Sequence, residues 1–75
     1  MTQVSFYNEM TDEHGVDEIP DAVISAACNQ SYEDNERVVI GYHPVFGWVY
    51  RGWEDEAGVS ELTKRHICDS SGIID

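Results

Sequence analysis

The chain has 75 residues, of which 15 are Asp or Glu and only 4 are Lys or Arg, so its formal net charge at pH 7 is −11. The shortage of basic side chains argues against direct binding to DNA, RNA or an anionic membrane surface, because affinity for phosphates comes mainly from Lys and Arg. A chain of this length forms one domain, residues 1–75, and its hydrophobic content of 41% is too high for a disordered acidic tail.

A strand followed by an acidic connection is predicted at the start of the chain. Val4 and Phe6 alternate with polar side chains across residues 3–8, and this period of two is typical of a strand. Residues 9–18 hold five carboxylates and Gly15, so they are predicted to form an exposed acidic connection.

The next predicted element is a helix. Pro20 suits the first position of a helix, because its missing N–H costs nothing there. Apolar side chains then recur at three- and four-residue spacing, which predicts a helix from about Pro20 to Gln30. The polar residues 31–36 are predicted to form a loop.

The second half of the chain predicts a hairpin and a second helix. Two runs of β-branched and aromatic residues lie within residues 37–53, and a turn at 43–47 that contains Pro and Gly separates them. Helical spacing over 59–67 predicts a second helix, and Ile73 and Ile74 either pack on the core or add a short strand. The order strand, helix, strand, strand, helix predicts a small two-layer α+β domain with a short antiparallel sheet.

The aromatic residues of the hairpin allow two interpretations. In a strand, Trp48 and Tyr50 would point to one face while Val49, Arg51 and Trp53 point to the other. Both faces could be packed core, because aromatic side chains dominate small cores. Alternatively, one face is an interface, where Trp, Tyr and Arg are the usual anchors.

The two cysteines are predicted to be reduced and largely buried. A disulfide between Cys28 and Cys68 would stabilise the fold by about 4 kcal/mol in an oxidising compartment. No metal site is predicted, because Cys28, His66 and Cys68 lack the paired ligand spacing that zinc requires.

No catalytic motif or cofactor motif is present in the sequence. Ser, Cys, His and Asp all occur, yet none lies in a nucleophile elbow, and the glycines form no phosphate-binding loop. The carboxylates also lack the spacing of a calcium loop and are predicted to be solvated surface groups. The sequence therefore favours a binding protein without a cofactor over an enzyme.

Acidity is the feature that best predicts a function. The carboxylates concentrate in residues 9–21, 33–36 and 54–61. In composition, and in no motif, the chain resembles the small acidic proteins by which phages block host restriction, CRISPR or repair systems. That resemblance implies an inhibitor whose carboxylates imitate nucleic-acid phosphates on a basic enzyme surface. The predicted partner-binding residues are Asp12, Glu13, Asp17, Glu18, Asp21, Glu33, Asp34, Glu36, Glu54, Asp55, Glu56, Trp48 and Trp53.

Other roles stay open at this point. A cytosolic adaptor or accessory subunit would dock through the hairpin aromatics, with the acidity serving solubility or adaptation to high salt. A homodimer would bury apolar surface that so small a monomer leaves exposed. Because the sequence shows neither an export signal nor a long apolar stretch, the protein is expected to act in the cytoplasm.

Overall fold

A computed structural model describes residues 1–74 as six strands and two helices. In chain order these are β1 (Thr2–Asn8), β2 (Glu13–Ile19), α1 (Asp21–Asp34), β3 (Val38–His43), β4 (Gly47–Gly52), α2 (Glu56–Ser60), β5 (His66–Asp69) and β6 (Gly72–Ile73). Strands β1 and β2 form one antiparallel sheet, and a second antiparallel sheet has the order β4-β3-β5-β6. The predicted α+β class is confirmed. Neither helix in this part of the chain has the length and apolar character needed to cross a membrane.

The β1–β2 hairpin replaces most of the predicted acidic connection. Its two strands pair along their whole length, and the connecting residues 9–12 end on Asp12, whose φ of 53° is left-handed. The prediction of a loop over 13–18 is wrong, because these residues form most of β2. The strand was missed because its side chains do not follow the usual alternation of apolar and polar residues. Val16 faces solvent while Asp17 faces the interior, which is the reverse of the usual apolar-inside pattern.

Helix α1 is longer than the sequence predicts. The start agrees with the predicted start at Pro20, but the helix continues to Asp34, so the predicted loop over 31–36 is wrong in its first part. Ser31 is buried at this point, and its hydroxyl donates a hydrogen bond to the carbonyl of Glu36. The helix ends where Asn35 adopts a left-handed conformation with a φ of 53°.

The β3–β4 hairpin and its turn over 43–47 agree with the prediction. His43 organises the turn, because its Nδ1 accepts hydrogen bonds from the backbone N–H groups of Val45 at 3.0 Å and Phe46 at 3.2 Å. Gly47 completes the turn with a φ of 78°, a conformation that favours glycine. The side chains of Val45 and Phe46 project into solvent at the tip.

Replacing His43 with Ala is expected to lower the free energy of unfolding by about 1 kcal/mol, because the turn loses the acceptor of two backbone N–H groups. Urea denaturation measures the change. His14→Ala is the matched control, since His14 is exposed on β2. Equal stabilities of the two variants would contradict a structural role for His43.

Side chains pack on both faces of the four-stranded sheet. Helix α1 covers one face, and the buried core there consists of Ile19, Ala27, Val38, Ile40 and Cys68. Leu62 covers the other face and approaches the backbone at Gly41, where an added Cβ would lie 2.7 Å from Leu62 Cβ. Glycine at position 41 therefore makes room for Leu62.

A second helix follows β4 as predicted, but its predicted bounds of 59–67 are wrong. Helix α2 ends at Ser60, and the chain then turns back toward the sheet, where the Thr63 N–H and hydroxyl both donate to the Tyr42 carbonyl. Strand β5 begins at His66 and pairs with β3, and Ile73 lies in the short strand β6. The apolar residues with helical spacing thus belong to a short helix, a connection and a strand.

Candidate functional site

The acidic segment 33–36 and the first part of the segment 54–61 converge at one end of the four-stranded sheet, while Glu61 lies near His43 at the other end. The residues after α1 and those after β4 lie together there, because the Trp53 N–H donates to the Arg37 carbonyl at 3.1 Å. Pairing of Cys68 with Val38 places the end of β5 beside them. The acidic end is defined by these carboxylates: Glu33, Asp34, Glu36, Glu54, Asp55, Glu56 and Asp69.

The acidic end is exposed and unneutralised by ion pairs. Its carboxylates lie at the surface, with Asp69 half-buried. The ion pairs found among residues 1–74 involve acids outside the acidic end, namely Asp17, Asp21 and Glu61. Arg37 and Arg51 lie at this end and Arg65 lies beside Glu56, and the side chains of Arg51 and Arg65 donate to the Tyr50 and Leu62 carbonyls rather than to a carboxylate. The surface therefore presents a concentrated negative charge.

Asp69 is held in its ionised form. Its carboxylate accepts hydrogen bonds from the Ser71 hydroxyl at 2.6 Å and from the Ser71 backbone N–H at 2.8 Å. These bonds, with a smaller contribution from the charge of Arg37, hold the pKa of Asp69 below its usual range. The sequence prediction missed Asp69 because it lies outside the three acidic segments.

Asp55 also has a structural role at the acidic end. Its side chain accepts a hydrogen bond from the Gly58 N–H at 3.0 Å and so caps the first turn of α2. Asp55 remains exposed, so one carboxylate both starts a helix and adds charge to the surface.

An apolar recess adjoins the acidic end. Trp53 is 49% exposed and forms one wall of the recess. The volume is about 260 Å³, and the lining residues are Val39, Trp53, Glu56, Val59, Ser60 and Arg65. An aromatic side chain beside a charged rim is typical of protein interfaces.

Trp48 does not share this surface. It lies on the opposite face of the sheet, half-buried against the core beneath α1, with its ring edge-on to Tyr42 at 5.6 Å between ring centroids. The sequence placed Trp48 and Trp53 on different faces, and the structure agrees. Of the two predicted anchors, only Trp53 is positioned beside the acidic end.

The remaining predicted acids lie apart from the acidic end. Asp12, Glu13 and Glu18 are exposed on the β1–β2 hairpin, and Asp21 starts α1, whose 14 residues span about 21 Å. The Tyr7 hydroxyl donates to Asp12 at 2.6 Å, which raises the pKa of Tyr7. The Thr2 hydroxyl donates to Asp21 and, with the N-terminal charge, lowers the pKa of Asp21. The acidic segments therefore form two groups.

Asp17 requires a correction, because its side chain is only 5% exposed and cannot belong to a surface patch. Asp17 Oδ2 lies 2.8 Å from Nε2 of His66, which is 3% exposed, and Asp17 Oδ1 lies 3.8 Å from Lys64 Nζ. His66 lies within the predicted helix over 59–67, yet it starts β5. This buried pair joins the β1–β2 hairpin to the four-stranded sheet.

A cavity of about 320 Å³ lies beside the Asp17–His66 pair, with Phe6, Tyr7 and Lys64 among its walls. A histidine oriented by a carboxylate can act as a base when a nucleophile is within reach. Among residues 1–74, however, His66 has its side-chain hydrogen bond with Asp17 and none with a hydroxyl or thiol. Nor does this part of the chain bring three or more His, Cys, Asp or Glu residues together to hold a metal ion.

Comparison with known proteins assigns no family to the chain. No family model, curated protein or solved structure matches it. Its function must therefore be argued from the fold, the distribution of charge and the exposed side chains.

Proposed function

We propose that the protein is a small acidic inhibitor that occupies the basic surface of a nucleic-acid-handling enzyme of restriction, CRISPR, repair or transcription systems in the cytoplasm. The observation that carries this proposal is the acidic end, where carboxylates from three separate parts of the chain meet without ion pairs among the described residues. A basic channel would supply the missing counter-charges. The carboxylates would take the place of nucleic-acid phosphates there.

The position of the acids on α1 favours binding over solubility as their purpose. Glu33 and Asp34 lie in the last turn of the helix, which contains no basic residue. Negative charge at this end opposes the helix dipole and reduces stability. Carboxylates that served only solubility would be better placed at the other end of the helix, so their position suggests a use that offsets this cost.

Replacing Glu33 with Gln is expected to raise the free energy of unfolding by about 0.3–1 kcal/mol, because the substitution removes a negative charge from the C-terminal end of α1. The same variant is expected to bind its enzyme partner more weakly. Urea denaturation and binding titration measure the two effects. Glu13→Gln on β2 makes the same change of charge away from any helix end, so it controls for the loss of overall repulsion.

The decisive experiment compares two variants of equal net charge. In the first, acids of the acidic end become amides: Glu33→Gln, Glu36→Gln, Glu54→Gln and Glu56→Gln. In the second, the same number of hairpin acids become amides: Glu9→Gln, Asp12→Asn, Glu13→Gln and Glu18→Gln. Each is titrated for inhibition of purified restriction, CRISPR, repair and transcription enzymes over a series of salt concentrations. Asp55 is left intact because it caps α2.

The first variant is expected to lose at least about tenfold in inhibition and to show a weaker dependence on salt. The second should retain most of the inhibition. Equal losses in both variants would mean that overall charge, and not the acidic end, determines binding. Inhibition by the unmodified protein that does not change with salt would overturn the proposal of phosphate mimicry.

A second candidate function is an adaptor that docks through the aromatic residues of the β3–β4 hairpin. The observation in its favour is the tip of that hairpin, where Val45 and Phe46 are 77% and 72% exposed. An adaptor should lose binding on Trp53→Ala or Phe46→Ala and keep it when Glu54 and Glu56 become Gln. Trp48→Ala is a poorer test, because Trp48 packs against the core.

A further inference from the structure

The two cysteines come together inside the fold. Cys28 lies on α1 and Cys68 on β5, so the pair spans the contact between the helix and the four-stranded sheet. Their Sγ atoms are 3.5 Å apart, and both are free thiols. Cys28 is half-buried while Cys68 is fully buried, so the two residues differ in their exposure to solvent.

We propose that Cys28 and Cys68 are a redox modification site, at which a peroxide converts the two thiols to a reversible disulfide. The bonded distance between disulfide sulfurs is about 2.05 Å, so the two Sγ atoms must approach by about 1.5 Å. The two Sγ atoms face each other where α1 packs on the four-stranded sheet. A small adjustment of the side chains or of α1 would bring them within bonding distance. The inference is independent of the proposed inhibitory function.

The different environments assign the two sulfurs different roles. We assign the first contact with a small oxidant to Cys28, because this residue is only partly buried whereas Cys68 is fully buried. Burial, together with the neighbouring Cys28 thiol, raises the pKa of Cys68 to about 12, so Cys68 stays protonated at neutral pH. Cys28 is therefore the attacking residue and Cys68 the resolving residue.

The chemistry balances with hydrogen peroxide as the oxidant. The Cys28 thiolate attacks one peroxide oxygen, the O–O bond breaks, and the departing hydroxide takes up a proton to form water. The resulting sulfenic acid at Cys28 is attacked by the sulfur of Cys68. The S–O bond breaks, and the hydroxide released takes the Cys68 proton and leaves as a second water. Two thiols lose two electrons and two protons, and one peroxide is reduced to two waters.

The disulfide would fix α1 to β5 through a covalent link between residues 40 positions apart. A crosslink across so long a loop restricts the unfolded chain and so favours the folded state. The oxidised protein is therefore expected to be more stable than the reduced protein. Reduction by a small thiol would reverse the change.

The test treats the reduced 75-residue chain with hydrogen peroxide and follows its intact mass, its peptide map and its melting temperature. The expected product is a monomer that has lost two hydrogen atoms, contains a Cys28–Cys68 crosslinked peptide and melts on the order of 10 °C higher. Dithiothreitol should restore the original mass and melting temperature. In Cys68→Ser, the sulfenic acid at Cys28 should persist long enough to be trapped by dimedone.

Cys28→Ser should leave Cys68 largely unreactive toward peroxide, since Cys68 is buried. The proposal is overturned if the unmodified chain accumulates sulfinic or sulfonic acid, or crosslinks between chains, without forming the internal disulfide. It is also overturned if the internal disulfide lowers the melting temperature. The crosslink is measured in the unmodified chain, so the result stands even if a Ser variant fails to fold.

Discussion

Replacing Asp17 with Ala is expected to lower the free energy of unfolding by about 1–3 kcal/mol, because the buried His66 ring is left without its hydrogen-bond partner. His66 would lose the carboxylate 2.8 Å from its Nε2, and Lys64 would lose its nearest acid. The β1–β2 hairpin would also lose its polar attachment to β5. Urea denaturation followed by circular dichroism measures the change.

Glu18 provides the matched control for Asp17. It is the next residue on β2, carries the same charge and is exposed, so Glu18→Ala should change stability by less than about 0.5 kcal/mol. Asp17→Asn should fall between the two, since the amide oxygen can still accept a hydrogen bond from His66. A stability of Asp17→Ala equal to that of Glu18→Ala would show that the buried pair does not hold the hairpin in place.

Replacing Leu62 with Ala is expected to lower the free energy of unfolding by about 2–5 kcal/mol, because Leu62 is 2% exposed and its loss opens a cavity over Gly41. The segment after α2 has no regular secondary structure, and it is held on the sheet by this side chain and by the two hydrogen bonds from Thr63 to the Tyr42 carbonyl. The denaturation midpoint in urea gives the size of the effect.

Val45→Ala is the control for Leu62→Ala, because Val45 is 77% exposed and its truncation opens no cavity. Its effect should stay within about 0.5 kcal/mol. Truncation of Leu62 with no larger effect than truncation of Val45 would mean that the second face of the sheet does not contribute to the core.

The elements predicted correctly from the sequence are those whose pattern of apolar residues and turn residues lies within the element itself. The β3–β4 hairpin has β-branched and aromatic runs on both sides of a turn, and α1 has apolar residues at helical spacing after Pro20. Strand β2 lacks such a signal because Asp17 faces inward, and the distant His66 and Lys64 make this favourable. No pattern within residues 13–19 reveals that partner.

The bounds of the second helix were predicted from apolar residues at helical spacing over 59–67, but these residues belong to different elements. Val59 belongs to α2, Leu62 packs on Gly41 from a connection, and His66 faces inward from β5. Val59, Leu62 and His66 belong to three different elements, and Leu62 and His66 lie on opposite faces of the sheet, so their helical spacing is a coincidence. Because β5 has only four residues, its alternation of buried and half-buried side chains is too short to compete with that pattern.

The convergence of the acidic residues could have been inferred from the hairpin. An antiparallel hairpin over 37–53 brings its two flanks together, so the acids at 33–36 and 54–56 must lie side by side. The separation of residues 9–21 from this group could not be inferred, because it depends on β2 and on where the β1–β2 hairpin attaches. The identity of Asp17 as a buried group depends on the same long-range contact.

The carboxylates in the last turn of α1 have a consequence for the evolution of this protein. Selection for thermal stability alone would favour Lys or Arg at positions 33 and 34, since positive charge suits that helix end. Such a lineage would gain robustness and lose the charge that the proposed inhibition requires. Retention of both acids in natural variants of this chain would thus record a selective pressure that acts against stability.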